Sequence, residues 1–183
     1  MFKLFRSAKT RATIERLYGA IVAQSRRPEF YSDFGVPDTM EGRFEMVVLH
    51  TVLACHRLKD GDEVARALAQ DVFDAFAADM DRTLRELGVG DLTVPKKMKK
   101  IGEAFYGRAA AYDAALSTPG DDALAVAVAR NILDLGAGAP PPAARALAAY
   151  VRAAADRLRE TPFDVLARGD FILPGPMRRE SEQ

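Results

Sequence analysis

The chain has 183 residues, of which 49% are hydrophobic and 28% are charged, and its formal net charge is zero. This composition is typical of one globular domain with a buried core, and it excludes a chain that is a polyelectrolyte throughout. The single cysteine, Cys55, excludes an intrachain disulfide and an all-cysteine metal site, and it leads us to expect an intracellular protein.

Charge is distributed unevenly along the chain. Residues 1–27 contain seven Lys and Arg against one Glu, whereas residues 60–86 contain eight Asp and Glu against three Arg. The first residues lack the apolar region of a signal peptide. No stretch approaches the ~20 apolar residues that span a bilayer. We therefore expect neither a signal peptide nor a transmembrane helix.

The 3.6-residue hydrophobic period predicts a helix in nearly every segment. The first is a basic amphipathic helix that ends at Arg26–Arg27, before Pro28. A short loop-like segment with Phe30, Tyr31 and Phe34 follows. A second helix, capped by Asp38 or Thr39, should then run to about Lys59.

The helix that follows Asp62 has the clearest apolar stripe, and its length makes it the expected axis of the bundle. Gly88 is placed to end this helix in a left-handed conformation, with Val89 and Leu84 in apolar contact across a Schellman motif. We expect the stripe to be buried; it comprises Val64, Leu68, Val72, Phe76, Met80, Leu84 and Leu87.

The next helix begins near Thr93 to Pro95 and carries four lysines in its first turns: Lys96, Lys97, Lys99 and Lys100. Each cation at the positive end of the helix dipole lowers the stability of the helix by a few tenths of a kcal/mol. We therefore expect these lysines to contact something outside their own helix. The buried stripe of this helix should contain Met98, Ile101, Phe105, Tyr112 and Leu116.

Two further helices complete the sequence pattern. One opens at Asp121–Asp122 and should bury Leu124, Val126, Val128, Ile132 and Leu133; the other runs from about Pro142 to Glu160. Thr161–Phe163 begins a short terminal turn. The fold prediction is all-α, a single-domain bundle of about six to seven helices. Its segments are a basic N-terminal helix (1–27), a core helical region (28–135), a linker with C-terminal helices (136–173) and a frayed tail (174–183).

Catalytic chemistry is sparse in this sequence. His50 and His56 are six residues apart, which puts them on different helix faces and argues against a shared metal. We interpret His50 as buried and hydrogen-bonded, and Cys55 as a small core residue. Asp79 and Asp81 beside Arg82 and Arg85 indicate a salt-bridged solvent face. The sequence predicts no catalytic residue, no metal site, no cofactor and no enzyme.

Binding functions remain open on the residues alone. The basic N-terminal helix and Lys96–Lys100 could contact nucleic acid or a ribosome, although stacking aromatics are not interleaved with the lysines. The N-terminal helix also has the profile of a helix on an anionic membrane surface, and packing on the bundle is an equally good interpretation. An enzyme would instead show His50 exposed beside a carboxylate in a pocket.

Several short motifs occur in order and resemble the ubiquinol–cytochrome c chaperone family, the assembly factors of the cytochrome bc1 complex (respiratory complex III). The resemblance covers roughly residues 27–132 and extends more loosely to the end. The motifs are Val36-Pro-Asp-Thr39, Glu41-Gly-Arg-Phe44, Leu49-His50, Asp79-Met-Asp81, Leu84-Arg-Glu86, Gly88-Val-Gly-Asp91, Val94-Pro-Lys-Lys-Met-Lys-Lys100 and Phe105-Tyr-Gly-Arg108.

The resemblance implies an all-α, non-enzymatic chaperone that binds newly made cytochrome b, with no small-molecule substrate and no catalytic residue. Mitochondrial members work with a small partner protein and associate with the ribosome. This chain lacks their presequence, so it resembles a bacterial member, which we expect in the cytoplasm or peripheral to the inner membrane. Whether it needs a small co-chaperone or a ribosome stays open.

The charge pattern fits that implication, because cytoplasmic loops of membrane proteins are rich in Lys and Arg and suit an acidic face. Phe30, Tyr31 and Phe34 could meet an apolar client segment or pack back on the core. We expect an apolar or acidic groove bordered by the lysines. The predicted partner-binding residues are Arg43, Asp81, Arg82, Arg85, Asp91, Lys96, Lys97, Lys99, Lys100 and Arg108.

Overall fold

Helices connected by short loops make up the structure, a computed structural model that describes residues 8–136 and 138–175. The described residues form α1 (Ala8–Ser25), α2 (Glu29–Ser32), α3 (Met40–Lys59), α4 (Glu63–Glu86), α5 (Val94–Leu116), α6 (Asp122–Asn131), α7 (Pro142–Glu160) and α8 (Phe163–Arg168). The predicted all-α, single-domain fold is confirmed. Residues 1–7 of the basic N-terminal segment and 176–183 of the tail lie outside the described residues.

Local capping chemistry sets most helix ends. The Thr39 side chain accepts a hydrogen bond from the Gly42 amide at 3.1 Å, and Asp62 accepts one from Ala65 at 2.9 Å. Gly88 has φ +77°, and the Gly88 and Val89 amides donate to the carbonyls of Arg85 and Leu84. These two bonds are the Schellman pattern, so the predicted end of α4 is confirmed.

The centre of the bundle is α3, not α4 as the sequence predicted. Nine consecutive residues of α3, Met46–Ala54, are buried, because α1, α4, α5 and α7 all pack around it. Helix α4 is longer but covers one side of α3, and its length alone did not decide its place. The core therefore surrounds α3, and α6 joins it through α7.

Some predicted inward positions face solvent. Val64 on α4 is 62% exposed and Val126 on α6 is 52% exposed, so the prediction that both are buried is wrong. The hydrophobic period thus assigned both residues to the buried face, whereas the packing leaves them in solvent. Among the described helices, none combines the length and the apolarity that crossing a bilayer would need.

Candidate interaction surface

An apolar groove of about 520 Å³ opens between the end of α1, the start of α3, the end of α4 and the start of α5. We call it the α3–α4–α5 groove. Its walls are mainly long apolar side chains, with two cations and two carboxylates at the rim. The lining residues are Arg26, Met40, Glu41, Arg43, Phe44, Val47, Asp79, Met80, Thr83, Leu84, Leu87 and Ile101.

The groove exists because the apolar stripe of α4 extends past the core. Val72 and Phe76 are fully buried, whereas Met80 and Leu84 are half-buried and Leu87 is 52% exposed. Met40 faces them from α3 and is 58% exposed. The prediction that this whole stripe is buried is therefore wrong for its last part, which lines the groove instead.

Ion pairs within the chain connect the charged side chains in the last turns of α4. The Arg82 guanidinium pairs with Asp79, and Asp79 also accepts a hydrogen bond from the Tyr18 hydroxyl at 3.0 Å. Arg85 contacts Asp81 at 2.7 Å and Asp91 at 2.5 Å. Thus α4 has the predicted salt-bridged solvent face, and the predicted partner residues on it lie together.

Arg43 lies on the opposite wall of the groove. Its guanidinium contacts Asp38 at 2.7 Å and sits 5.3 Å from the ring centroid of Tyr31. This pair and the cation–π contact hold the side chain across the start of α3. Arg43 and Asp79 therefore lie on two walls of one groove, although they are far apart in sequence.

The four lysines Lys96, Lys97, Lys99 and Lys100, which we call the lysine edge, are all exposed on α5. Lys97 precedes the groove residue Ile101 by one helical turn, so Lys97 lies next to the groove wall, and the other three lysines are on the same first turns of α5. Lys99 contacts Glu103 at 3.8 Å. Within the described residues no carboxylate lies within 4 Å of the other three ammonium groups.

Arg108 differs from the other predicted partner residues. Its guanidinium donates two hydrogen bonds to Glu45, at 2.6 and 2.9 Å, in the fork geometry that arginine and carboxylate favour. Glu45 is largely buried, so the pair ties α5 to α3. This pair satisfies both charges within the chain, and a role for Arg108 in partner binding stays a prediction.

The aromatic side chains after α1 are mostly core residues. Phe30 and Phe34 are 0% and 1% exposed, and the Phe30 ring packs edge-on against Tyr150 with centroids 4.9 Å apart. They belong to the single turn α2 and its end, which the sequence pattern was too short to identify as helical. Of the two alternatives for these aromatics, packing back on the core is confirmed for both.

His50 is buried and hydrogen-bonded, as predicted. Its Nδ1 lies 2.8 Å from the Met46 carbonyl and its Nε2 lies 2.7 Å from the Tyr150 hydroxyl. A carbonyl only accepts, so Nδ1 carries the proton and Nε2 accepts from Tyr150. Burial lowers the pKa of His50 to about 4, so the ring is neutral at physiological pH. The exposed His50 that an enzyme would require is not found.

Sequence reasoning missed a second, smaller cavity of about 280 Å³ between α3, α4 and α5. There the Asp113 carboxylate contacts Nδ1 of His56 and the ammonium group of Lys59, each at 2.5 Å. Burial acts to raise the pKa of Asp113, but these two partners outweigh it and lower the pKa. The contact joins residues that are more than fifty positions apart, so no local sequence pattern predicts it.

The small cavity also contains Cys55, whose thiol donates to the Ala69 carbonyl at 3.6 Å. Burial raises the pKa of Cys55 to about 12, so the thiol stays protonated and is a poor nucleophile. Across residues 8–136 and 138–175, no cluster of three or more His, Cys, Asp or Glu side chains could hold a metal ion. Among the described residues, the candidate interaction surface is therefore the groove with its charged rim.

Comparison with known proteins identifies the family to which this chain is related. A family model for the ubiquinol-cytochrome C chaperone matches residues 32–173. The ubiquinol-cytochrome-c reductase complex assembly factor 1 of Xenopus laevis is 25% identical over 160 residues, which cover 87% of this chain and 76% of the frog protein. The crystal structure of the Cbp3 homolog from Brucella abortus matches with 46% identity and a TM-score of 0.81, covering 92% of this chain and 93% of the other. Since the family match extends over most of the fold, including every helix that lines the groove except α1, this chain belongs to the ubiquinol–cytochrome c chaperone family.

Proposed function

We propose that this protein is a non-enzymatic assembly chaperone for the cytochrome bc1 complex and that it binds newly made cytochrome b. Membership of the chaperone family supports the assembly role. The frog relative is named as an assembly factor of the ubiquinol-cytochrome-c reductase complex, which supports the choice of complex. The α3–α4–α5 groove supports a role in binding.

The groove is the observation that carries the proposal. Met40 and Leu87 are more than half exposed beside the other apolar side chains of the groove. Exposed apolar side chains grouped in this way do not stabilise the isolated fold, so a bound partner would explain them. Apolar surface of this kind, rimmed by charged groups, is typical of protein–protein interfaces. A groove between helices suits an amphipathic helix that lays its apolar face along it.

Charge decides how such a client would be oriented. Glu41 and Asp79 at the rim suit the basic residues that flank the membrane spans of cytochrome b. The cations of the lysine edge and of Arg82 and Arg85 would form the polar border of the same surface. The proposed partner-binding residues are Arg43, Asp81, Arg82, Arg85, Asp91, Lys96, Lys97, Lys99 and Lys100.

This role places the protein at the inner-membrane surface of a bacterial cell, where cytochrome b is inserted. A co-chaperone or a ribosome as an additional partner stays a prediction. The alternative of a nucleic-acid or ribosome-binding protein also stays a prediction. It needs the lysine edge to act together with the N-terminal helix, and residues 1–7 of that segment lie outside the described residues.

The groove is tested by Leu87→Asp in the organism that encodes the protein. Leu87 is the exposed terminal residue of the α4 stripe, so a carboxylate there stays solvated and leaves the fold intact. In a client complex the same carboxylate would be buried and unpaired, which costs several kcal/mol. We expect at least about a tenfold loss of cytochrome b captured with the protein, since 1.4 kcal/mol is tenfold. Complex III accumulation should fall with it.

Val64→Asp is the matched control, because Val64 belongs to the same apolar stripe, is 62% exposed and is outside the groove. This variant should capture cytochrome b and support complex III as the wild type does. Equal losses for both variants, or none for Leu87→Asp at normal protein levels, would contradict client binding in the groove.

A further inference from the structure

The loop between α4 and α5, residues 87–93, presents a leucine to solvent in a fixed conformation. Leu92 is 92% exposed, the largest value among the exposed large hydrophobic side chains described. The Thr93 and Val94 amides donate to the Gly90 carbonyl at 2.8 and 3.1 Å, and Val89 closes the end of α4. Leu92 therefore projects from a hydrogen-bonded turn.

The lysine edge follows this loop directly, and three of its four ammonium groups have no ion pair with a described carboxylate. The arginines of α4 are balanced, since Arg82 pairs with Asp79 and Arg85 with Asp81 and Asp91. Among the lysines, the structure shows one ion pair with a described carboxylate, Lys99 with Glu103 at 3.8 Å. Four adjacent cations thus lie beside an exposed leucine at the end of the bundle where the groove opens.

An anionic bilayer matches both the exposed Leu92 and the cations of the lysine edge. The interface between headgroups and acyl chains accepts an apolar side chain, while lysines keep their ammonium groups among anionic headgroups. Single-stranded RNA would match the charge but favours stacking aromatics. The nearest exposed aromatic on α5, Tyr106, packs with Phe73 at a centroid distance of 5.5 Å. Leu92 offers nothing to RNA.

We propose that the 87–93 loop and the lysine edge form a membrane-docking surface for anionic bilayers, with Leu92 entering the headgroup boundary. Docking of this kind needs no client. It would hold the α3–α4–α5 groove beside the bilayer, since Leu87 belongs to both the loop and the groove. The inference deepens the proposed function, yet the purified protein alone can test it.

The test measures binding of the full chain to vesicles of phosphatidylglycerol and phosphatidylcholine, and to vesicles of phosphatidylcholine alone. We expect binding to the anionic vesicles only, decreasing with salt. Each lysine near an anionic surface is worth roughly fivefold in binding. Replacing all four by Gln should therefore reduce binding by roughly two orders of magnitude or more. Leu92→Ser should reduce it about tenfold.

Matched controls separate this surface from general electrostatics. Replacing Arg66, Arg130, Arg145 and Arg159 by Gln removes the same formal charge elsewhere, and Val126→Ser removes an exposed apolar side chain from α6. Both controls should bind as the wild type does. If the lysine variant binds like the arginine control, the lysine edge is not the docking surface.

Insertion itself can be read directly, because the chain contains no tryptophan. Leu92→Trp provides a single reporter. Its emission should shift to the blue with anionic vesicles and be quenched by brominated acyl chains, whereas Val126→Trp should show neither effect. Binding to an RNA oligonucleotide but not to vesicles, or vesicle binding insensitive to Leu92→Ser, overturns the proposal. Either result leaves the Leu87→Asp test of client capture unaffected.

Discussion

His50 shows how burial fixes the chemistry of one residue. It is 2% exposed, and both ring nitrogens have partners that suit the neutral ring. Burial depresses its pKa from 6.5 to about 4, because a cation has no solvent there. The side chain is therefore structural, although histidine is the residue type most often suspected of catalysis.

This depressed pKa has a consequence for stability. Below pH 6.5 the unfolded chain takes up a proton at His50 that the folded chain refuses until about pH 4. The contribution is thus fully present above pH 6.5 and is lost as the pH falls, by roughly 1.4 kcal/mol per unit. His50→Gln removes the titrating ring. Between pH 7 and pH 5 this variant should therefore lose about 2 kcal/mol less stability than the wild type, as measured by urea unfolding at each pH.

Thr51→Ala is the control, because Thr51 is buried next to His50 and does not titrate. It should lower stability equally at both pH values and leave the wild-type pH dependence in place. A His50→Gln variant with an unchanged pH dependence would show that the pKa of His50 is the same in the folded and the unfolded chain.

At the scale of elements, the start of α3 shows a glycine required by packing. A Cβ on Gly42 would lie 2.0 Å from the Pro37 carbonyl oxygen, so that the backbone would have to shift to admit it. The same residue donates its amide to the Thr39 cap. The Glu41-Gly-Arg-Phe44 motif therefore contains its glycine so that the segment before α3 can fold over the first helical turn.

Gly42→Ala should destabilise the protein by at least about 2 kcal/mol, because backbone must shift to admit the methyl group. Helix propensity alone predicts the opposite sign. Gly107→Ala is the matched control: Gly107 lies within α5 and a Cβ there meets nothing within 4 Å. It should stabilise the protein by about 0.5–1 kcal/mol. Thermal unfolding of both variants distinguishes packing from propensity.

At the scale of the whole molecule, one end of the bundle combines the features suited to a partner. The α3–α4–α5 groove opens there, the 87–93 loop projects there, and the lysine edge borders both. The opposite ends of α3 and α4 instead carry the small cavity closed by His56, Lys59 and Asp113. The proposed surfaces therefore share the end of the bundle where the groove opens.

Charge reversal of Lys96, Lys97, Lys99 and Lys100 to Glu tests this end as a unit. The side chains are exposed, and acidic residues suit the first turns of a helix, so the fold should be retained. We expect loss of complex III accumulation in cells. Normal accumulation with soluble variant protein would contradict a role for the lysine edge.

Capture of cytochrome b from detergent extracts then separates the two roles of the lysines. Retained capture indicates that the lysines act in membrane docking, because detergent removes the bilayer. Lost capture indicates that they contact the client directly. The Leu87→Asp variant serves as the reference for a groove defect in the same extracts.

Local features of the sequence determined the helices and their ends. Asp62, Gly88 and the 142–160 segment act where the sequence predicted, because capping and backbone conformation depend on a few neighbouring residues. Ordered motifs likewise predicted the family. The predicted charged residues at the end of α4 and the lysines of α5 are at the two ends of one loop of seven residues, so the sequence itself brings them near one another.

The tertiary structure alone decided which apolar residues are covered. The period of α4 marks one apolar face from Val64 to Leu87, but the period does not show where neighbouring helices end. Only packing makes Phe76 a core residue, Leu87 a groove residue and Val64 a solvent residue. Long-range pairs such as Arg108 with Glu45 were equally invisible, because they join residues distant in sequence. The groove is therefore a property of helix arrangement, and the sequence supplied the residues that line it.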